Sequence, residues 1–170
     1  GSTGRLLTVS QLAFLRDVAY PWTLANYERR RAGLQYFSKR GGEAARNARG
    51  PLFGIENSLK AVTGYQSGLL DPVLMEIKLK EETALREAVR RDPEIDKLYG
   101  AAWDEIAAAQ KTYAEIYKMY RYFEGGAGFT TSYFSTARTL VRLAAEKPKP
   151  DAERLREYRD VSLPAITRRL

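Results

Sequence analysis

Between Gly50 and Leu70 the chain reads GPLFGIENSLKAVTGYQSGLL, and Leu52, Ile55, Leu59, Val62 and Leu69 recur at the spacing of one helix face. A half-buried strand would alternate with period two, and no stretch of the chain does so convincingly. This segment is therefore expected to be a helix, with Pro51 in its first turn, where a missing N–H costs no hydrogen bond. A second stripe, Gly54, Asn57, Ala61, Gly64 and Gly68, runs along the same helix in steps of three and four. Each Gly costs up to about 1 kcal/mol of helix stability relative to Ala, so glycines on one stripe point to another backbone or a ligand coming close. Asn57 is the only polar side chain on that stripe, with Lys60 beside it. Two readings stand. Either the stripe is a small-residue helix seam in which Asn57 satisfies a neighbour's carbonyl, or Asn57 presents its amide to something outside the helix layer.

The rest of the chain carries the same period with clear start signals. Thr8 and Gln11 form a capping box ahead of Val9, Leu12, Leu15 and Ala19. Pro21 is expected to end or kink that helix and to restart one through Trp22, Leu24, Tyr27, Leu34 and Phe37. Gly41-Gly42 breaks the pattern before a short Ala/Arg-rich piece that leads to Pro51. Asp71-Pro72 and Asp92-Pro93 each pair a cap with a first-turn proline. The first opens a helix with Leu74, Ile77, Leu85 and Ala88 inside and Glu76/Lys80, Glu82/Arg86 and Glu87/Arg91 outside. The second opens a helix of about thirty residues through Ile95, Leu98, Ala102, Ala109, Tyr113, Ile116, Tyr120 and Phe123. Gly125-Gly126-Ala127-Gly128 reads as a mobile connection and has neither the strand nor the Gly-Lys-Ser/Thr of a phosphate loop. Thr131 or Ser132 caps a helix with Phe134, Ala137, Val141 and Ala144 inside. After Lys147-Pro148-Lys149-Pro150, a last helix is expected from Asp151, kinked or restarted at Pro164. The fold class that follows is all-α, about seven helices in an antiparallel bundle. The 170 residues suit a single domain.

Composition narrows the chemistry. The chain has no His, which excludes a Ser-His-Asp triad, histidine acid–base catalysis and the commonest zinc sites within it. It has no Cys, so disulfides and thiolate chemistry are excluded too. No apolar run approaches the length of a membrane span, and no cofactor motif is present. The net charge of +7 keeps a nucleic-acid partner open. Against it, Arg29, Arg30 and Arg31 spread round a helix as a solvated surface, most Tyr residues fall at core spacing, and no nucleic-acid-reading motif appears. A free-standing basic binding module remains the alternative, with a scaffold or oligomerisation role as a third.

Two stretches together resemble the S46 family of dipeptidyl peptidases. Gly1-Ser2-Thr3-Gly4-Arg5-Leu6 through Tyr20-Pro21-Trp22 resembles the segment after that family's Gly-x-Pro-Gly turn, with Gly1-Ser2 read as native. Ile55-x-Asn57-x-x-Lys60-x-x-x-Gly64 resembles its Asn-x-x-Lys-x-x-x-Gly helix. Some relatives have a second Asn after the Lys, where this chain has Ala61, which favours Asn57 as the equivalent position. The resemblance implies a chymotrypsin-like double β-barrel with a large helical insertion capping its cleft, the Ser, His and Asp lying outside the insertion. The chain would then be the N-terminal portion of that cap, without cofactor or metal. Its partner would be the N-terminus of a peptide substrate, bound by Asn57 together with an acidic residue of the catalytic domain. The parent enzyme is expected in the periplasm or outside the cell. Apolar surface left at the Leu170 end is expected to favour self-association.

Overall fold

The computed structural model describes residues 6–128 and 131–168, so the opening Gly1–Arg5 of the resemblance and the Leu170 end lie outside it. Among the described residues every regular element is helical and there is no strand, so the fold is all-α. The chain gathers into two compact units, residues 1–117 and 118–170.

In the first unit, Thr8 accepts from the Gln11 N–H while the Gln11 side chain accepts from the Thr8 N–H, the expected capping box for α1 (Val9–Phe14). Glu82 adds a further cap, its carboxylate accepting the Val9 N–H at 2.6 Å. Pro21 does not end this helix. The chain runs through a π turn, Leu15–Ala19, directly into α2 (Tyr20–Ser38), with Pro21 at the second position of α2. The Tyr20 N–H is given to the Leu15 carbonyl, and Pro21 has no N–H, so neither can serve the carbonyl of Arg16. Gln66 supplies the missing donor, with Nε2 at 3.3 Å from that oxygen.

Gly41, at φ 139°, turns the chain into α3 (Gly42–Leu70), a conformation that side-chain-bearing residues rarely adopt. The helix thus begins nine residues before Pro51, which sits inside it rather than in its first turn. Glu43-Ala44-Ala45-Arg46 and Ala48 are strong helix formers, and Ala48 is 1% exposed. Packing against α2 compensates for the one hydrogen bond Pro51 removes. The start of the first helical stretch meets the end of α3, through Gln66 on Arg16 and Tyr65 against Tyr20, so α2 and α3 are antiparallel. The expected inner face of α3 is observed: Ile55 and Leu59 are buried and Leu52, Val62 and Leu69 half-buried.

Asp71 caps α4 (Pro72–Arg90) through the Val73 N–H, as expected. Its inner face is not the expected one. Leu74 is half-buried, but Ile77, Leu85 and Ala88 are exposed, and the Glu82/Arg86 pair turns inward instead. Arg86 lies 5.4 Å over the Trp103 ring and pairs with Asp104, contacts that hold it in place of an aliphatic chain. Asp92 caps α5 (Pro93–Tyr99) through Glu94 and Ile95. The thirty-residue helix is broken at Gly100-Ala101 before α6 (Ala102–Phe123). At Gly100 an added Cβ would lie 2.7 Å from the Asp96 carbonyl oxygen, a backbone atom, so the turn there accepts only glycine without rearrangement. Ile95, Leu98, Ile116, Tyr120 and Phe123 are exposed, because α6 turns Tyr113 and Tyr117 inward. Those rings meet Phe14 at 5.1 and 5.2 Å, and Trp22 meets Tyr117 at 5.6 Å. Tyr117 meets Phe14, Trp22 and Tyr113 edge-on, a favoured geometry for aromatic rings.

In the second unit, the glycine connection is a hydrogen-bonded turn. Gly126 at φ 80° lets Ala127 and Gly128 donate back to the carbonyls of Arg121 and Tyr122. Thr131 caps α7 (Ser132–Glu146) through the Phe134 N–H. The inner face of α7 is the reverse of the expected one: Ala137, Val141 and Ala144 are exposed, Phe134 is barely covered, and Arg138, Thr139, Arg142 and Glu146 turn inward. The helix expected from Asp151 does not form. Three 3₁₀ turns (Asp151–Glu153, Arg156–Tyr158, Asp160–Ser162) precede α8 (Leu163–Thr167), which restarts with Pro164 in its first turn. Side chains explain this. Asp151 accepts the Asp160 N–H, Glu146 accepts the Leu155 N–H, and Arg154 donates to the carbonyls of Lys147 and Lys149, bonds that hold the arm in a non-helical path.

Candidate functional site

Asn57 lies on the face of α3 opposite the buried pair Ile55 and Leu59, about half a turn round the helix. It is exposed, as are Lys60, Ala61 and Gly64 on the same side, and Phe53 one turn earlier is 67% exposed. An added Cβ at Gly54 or Gly64 would meet nothing within 4 Å, and only Gly68 approaches a neighbour, Leu74, at 4.0 Å. The expected small-residue seam is therefore not made from Gly54 to Gly64 by any described residue. Nor is Asn57 buried beneath a neighbouring carbonyl. The same helical phase that turns Leu52, Ile55 and Leu59 inward holds Asn57 outward.

The chemistry available there is that of a carboxamide: one carbonyl acceptor and two N–H donors, with no ionisable group. Such a group holds a ligand ammonium through its oxygen and cannot act as a general base. The arginine run is a solvated helix surface in which Arg31 pairs with Glu28 at 2.5 Å. The tyrosines, in contrast, do not all serve the core: Tyr36, Tyr65, Tyr99, Tyr120 and Tyr133 are all substantially exposed.

A second cluster, in the other unit, escaped the sequence reading. Glu124 pairs with both Arg138 and Arg142, and Glu157 lies 3.8 Å from Arg142. Hydrogen bonds from Arg142 and then Arg138 hold the Glu124 carboxyl below the usual range. Glu146 is likewise held low, first by Lys149 and then by the Leu155 N–H. The i, i+4 spacing of Arg138 and Arg142 was the available signal, but their acidic partner sits fourteen and eighteen residues away.

No helix among the described residues is long and apolar enough to cross a membrane. Compared with known proteins, the chain is similar to the Asp/Glu-specific dipeptidyl-peptidase of Shewanella putrefaciens, 25% identical over 170 residues, which is 100% of this chain and 22% of the relative. It thus spans about a fifth of that relative's length. No solved structure matches. The model of the family Peptidase S46 matches residues 1–170, the whole of the sequence. An all-α chain without histidine, bearing an outward asparagine in an Asn-x-x-Lys-x-x-x-Gly helix, belongs to the peptidase S46 family.

Proposed function

We propose that this chain is the non-catalytic helical cap of a serine dipeptidyl peptidase, and that Asn57 receives the α-ammonium of the peptide substrate. The parent enzyme would act in the periplasm or outside the cell, releasing N-terminal dipeptides by acyl transfer to a serine held elsewhere. An enzyme that removes two residues needs a wall beyond the second residue and an acceptor for the free amine. A carboxamide oxygen meets the second need without burying a charge. The observation that carries this reading is the outward position of Asn57 on α3, opposite Ile55 and Leu59. The absence of His from the sequence fits a division of labour in which the catalytic groups lie outside this chain.

The test is Asn57→Ala in the full-length enzyme, with kcat/KM on a dipeptidyl reporter and thermal melting followed on one preparation. The expected loss in kcat/KM is about ten- to a hundredfold, corresponding to roughly 1.5–3 kcal/mol for a hydrogen bond to a charged group. Melting should hold or rise, since Ala is the better helix former and the side chain is exposed. Unchanged kinetics would refute the substrate-binding role.

A further inference from the structure

Between α7 and the arm that follows it lies a cavity of about 510 Å³ that neither the proposed cap role nor Asn57 uses. That volume lies in the range of small-ligand pockets. One wall is α7, with Ser135 and Thr139 one turn apart, and the other carries Tyr158, Ser162 and Ile166. The hydroxyl protons of Ser135, Thr139 and Ser162 are already committed. Ser135 donates to the Ser132 carbonyl at 2.8 Å, Thr139 to the Ser135 carbonyl at 2.8 Å, and Ser162 to the Arg156 carbonyl at 3.2 Å. Their oxygens are left as acceptors. Tyr158 is the opposite case: it is 3% exposed, lines the cavity, and its hydroxyl has no hydrogen-bond partner among the described residues. Burial raises its pKa above the ordinary tyrosine value, so the phenol keeps its proton as a donor. The hydroxyl is open to the cavity rather than sealed in the packing, so a ligand acceptor can reach it in place of solvent. Arg138 is matched by Glu124, and Glu157, which also lines the cavity, faces Arg142 at 3.8 Å, so the cavity favours neither sign strongly.

A ligand for this cavity must therefore be neutral, offer N–H donors to one wall and a carbonyl to the other. The spacing on α7 narrows it further. Residues four apart on a helix are displaced by about 6 Å along its axis. In an extended chain, N–H groups pointing to the same side recur every second residue, about 6.6 Å apart. We propose that this cavity binds a short extended peptide segment, whose alternate amide N–H groups donate to Ser135 and Thr139 while one of its carbonyls accepts from Tyr158.

The test uses a tetra-alanine peptide acetylated at one end and amidated at the other, which lacks the α-ammonium that Asn57 would need. Backbone resonances of the 170-residue chain are followed as the peptide is added, up to about 20 mM, the range suited to a millimolar ligand. Saturable shifts are expected in Ser135–Thr139 and 158–166. Tyr158→Phe and Thr139→Val should each weaken binding about fivefold, as for one neutral hydrogen bond, with melting used to confirm that each variant folds. Asn57→Ala should bind the peptide unchanged, which separates this site from the one proposed on α3. An absence of shifts in α7 and the arm, undiminished affinity in both cavity variants, or a loss of binding in Asn57→Ala would each overturn the proposal.

Discussion

In the first unit the rings of Phe14, Trp22, Tyr113 and Tyr117 meet around a common centre, whereas in the second the inward face of α7 carries Arg138, Thr139, Arg142 and Glu146. The first is held by apolar area and ring geometry, which act without regard to pH. The second is held by carboxylates that receive N–H groups from guanidinium, ammonium and backbone. The difference teaches that an amphipathic pattern locates a face but does not say which way it points. On α7 the more apolar side, with Tyr133, Leu140 and Val141, is the exposed one.

The largest effect that would sharpen this contrast is expected from Tyr117→Ala. Tyr117 is 5% exposed and touches three other rings, so its removal should cost about 3–5 kcal/mol by denaturant unfolding, as for other large aromatic truncations. A cost below about 1 kcal/mol would mean that the ring cluster is not the core of its unit.

Next in size is an effect confined to the second unit. Glu146→Gln should speed proteolysis of the arm 151–168 while leaving cleavage in the first unit unchanged, because the arm is tied by the Glu146 carboxylate to Lys149 and to the Leu155 N–H. Acid should act the same way. Glu124 and Glu146 both have carboxyl groups held below their ordinary value of 4.5, so their contribution is fully present above that pH. It is lost as pH falls through the lowered folded-state values. Circular dichroism and limited proteolysis between pH 5 and pH 2 should show the second unit loosening, with Glu146→Gln removing part of the pH dependence. Equal loss of protection in both units would contradict the contrast.

A smaller effect belongs to Gln66→Leu. It strands the Arg16 carbonyl beside Pro21 and should cost about 1 kcal/mol. Hydrogen exchange near residues 15–21 would rise if the side chain replaces the missing backbone donor, and would stay unchanged if it does not. The smallest change is a gain. Gly64→Ala meets open space and should stabilise α3 by about 0.5–1 kcal/mol; a loss would show that a neighbour packs there after all.

Much of the fold was legible. The caps at Thr8, Asp71, Asp92 and Thr131 all stand where the sequence places them, because a cap is a local bond between residues two or three apart. The inner face of α3 was legible for a similar reason, since its five apolar residues share that side with a single polar one, Gln66. What could not be read were outcomes decided by distant groups. Glu82 forms the expected pair with Arg86 but turns inward with it, because it also caps Val9, seventy-three positions away. The arm after Asp151 has a helix start signal, but Asp151 spends its oxygen on Asp160. Pro51 lies within α3 because the residues before it are good helix formers that find a partner in α2, which no local rule reports. As for the candidate site, helical spacing alone put Asn57 on the stripe, but left open whether that stripe met a neighbour.

The π turn at Leu15–Ala19 has a consequence for how the first helix is counted. Phe14 and Trp22 are eight residues apart, which in an unbroken α-helix would put them about 80° out of phase at 100° per residue. A π turn absorbs about one residue more than an α turn, so the effective separation is close to seven, about 20° from alignment. Both rings therefore reach the same face of Tyr117's helix, as their contacts require. The stretch from Arg16 to Ala19 carries, in effect, one residue more than its rise needs. A chain shortened by one residue there would keep its aromatic register, with the π turn replaced by a regular α turn.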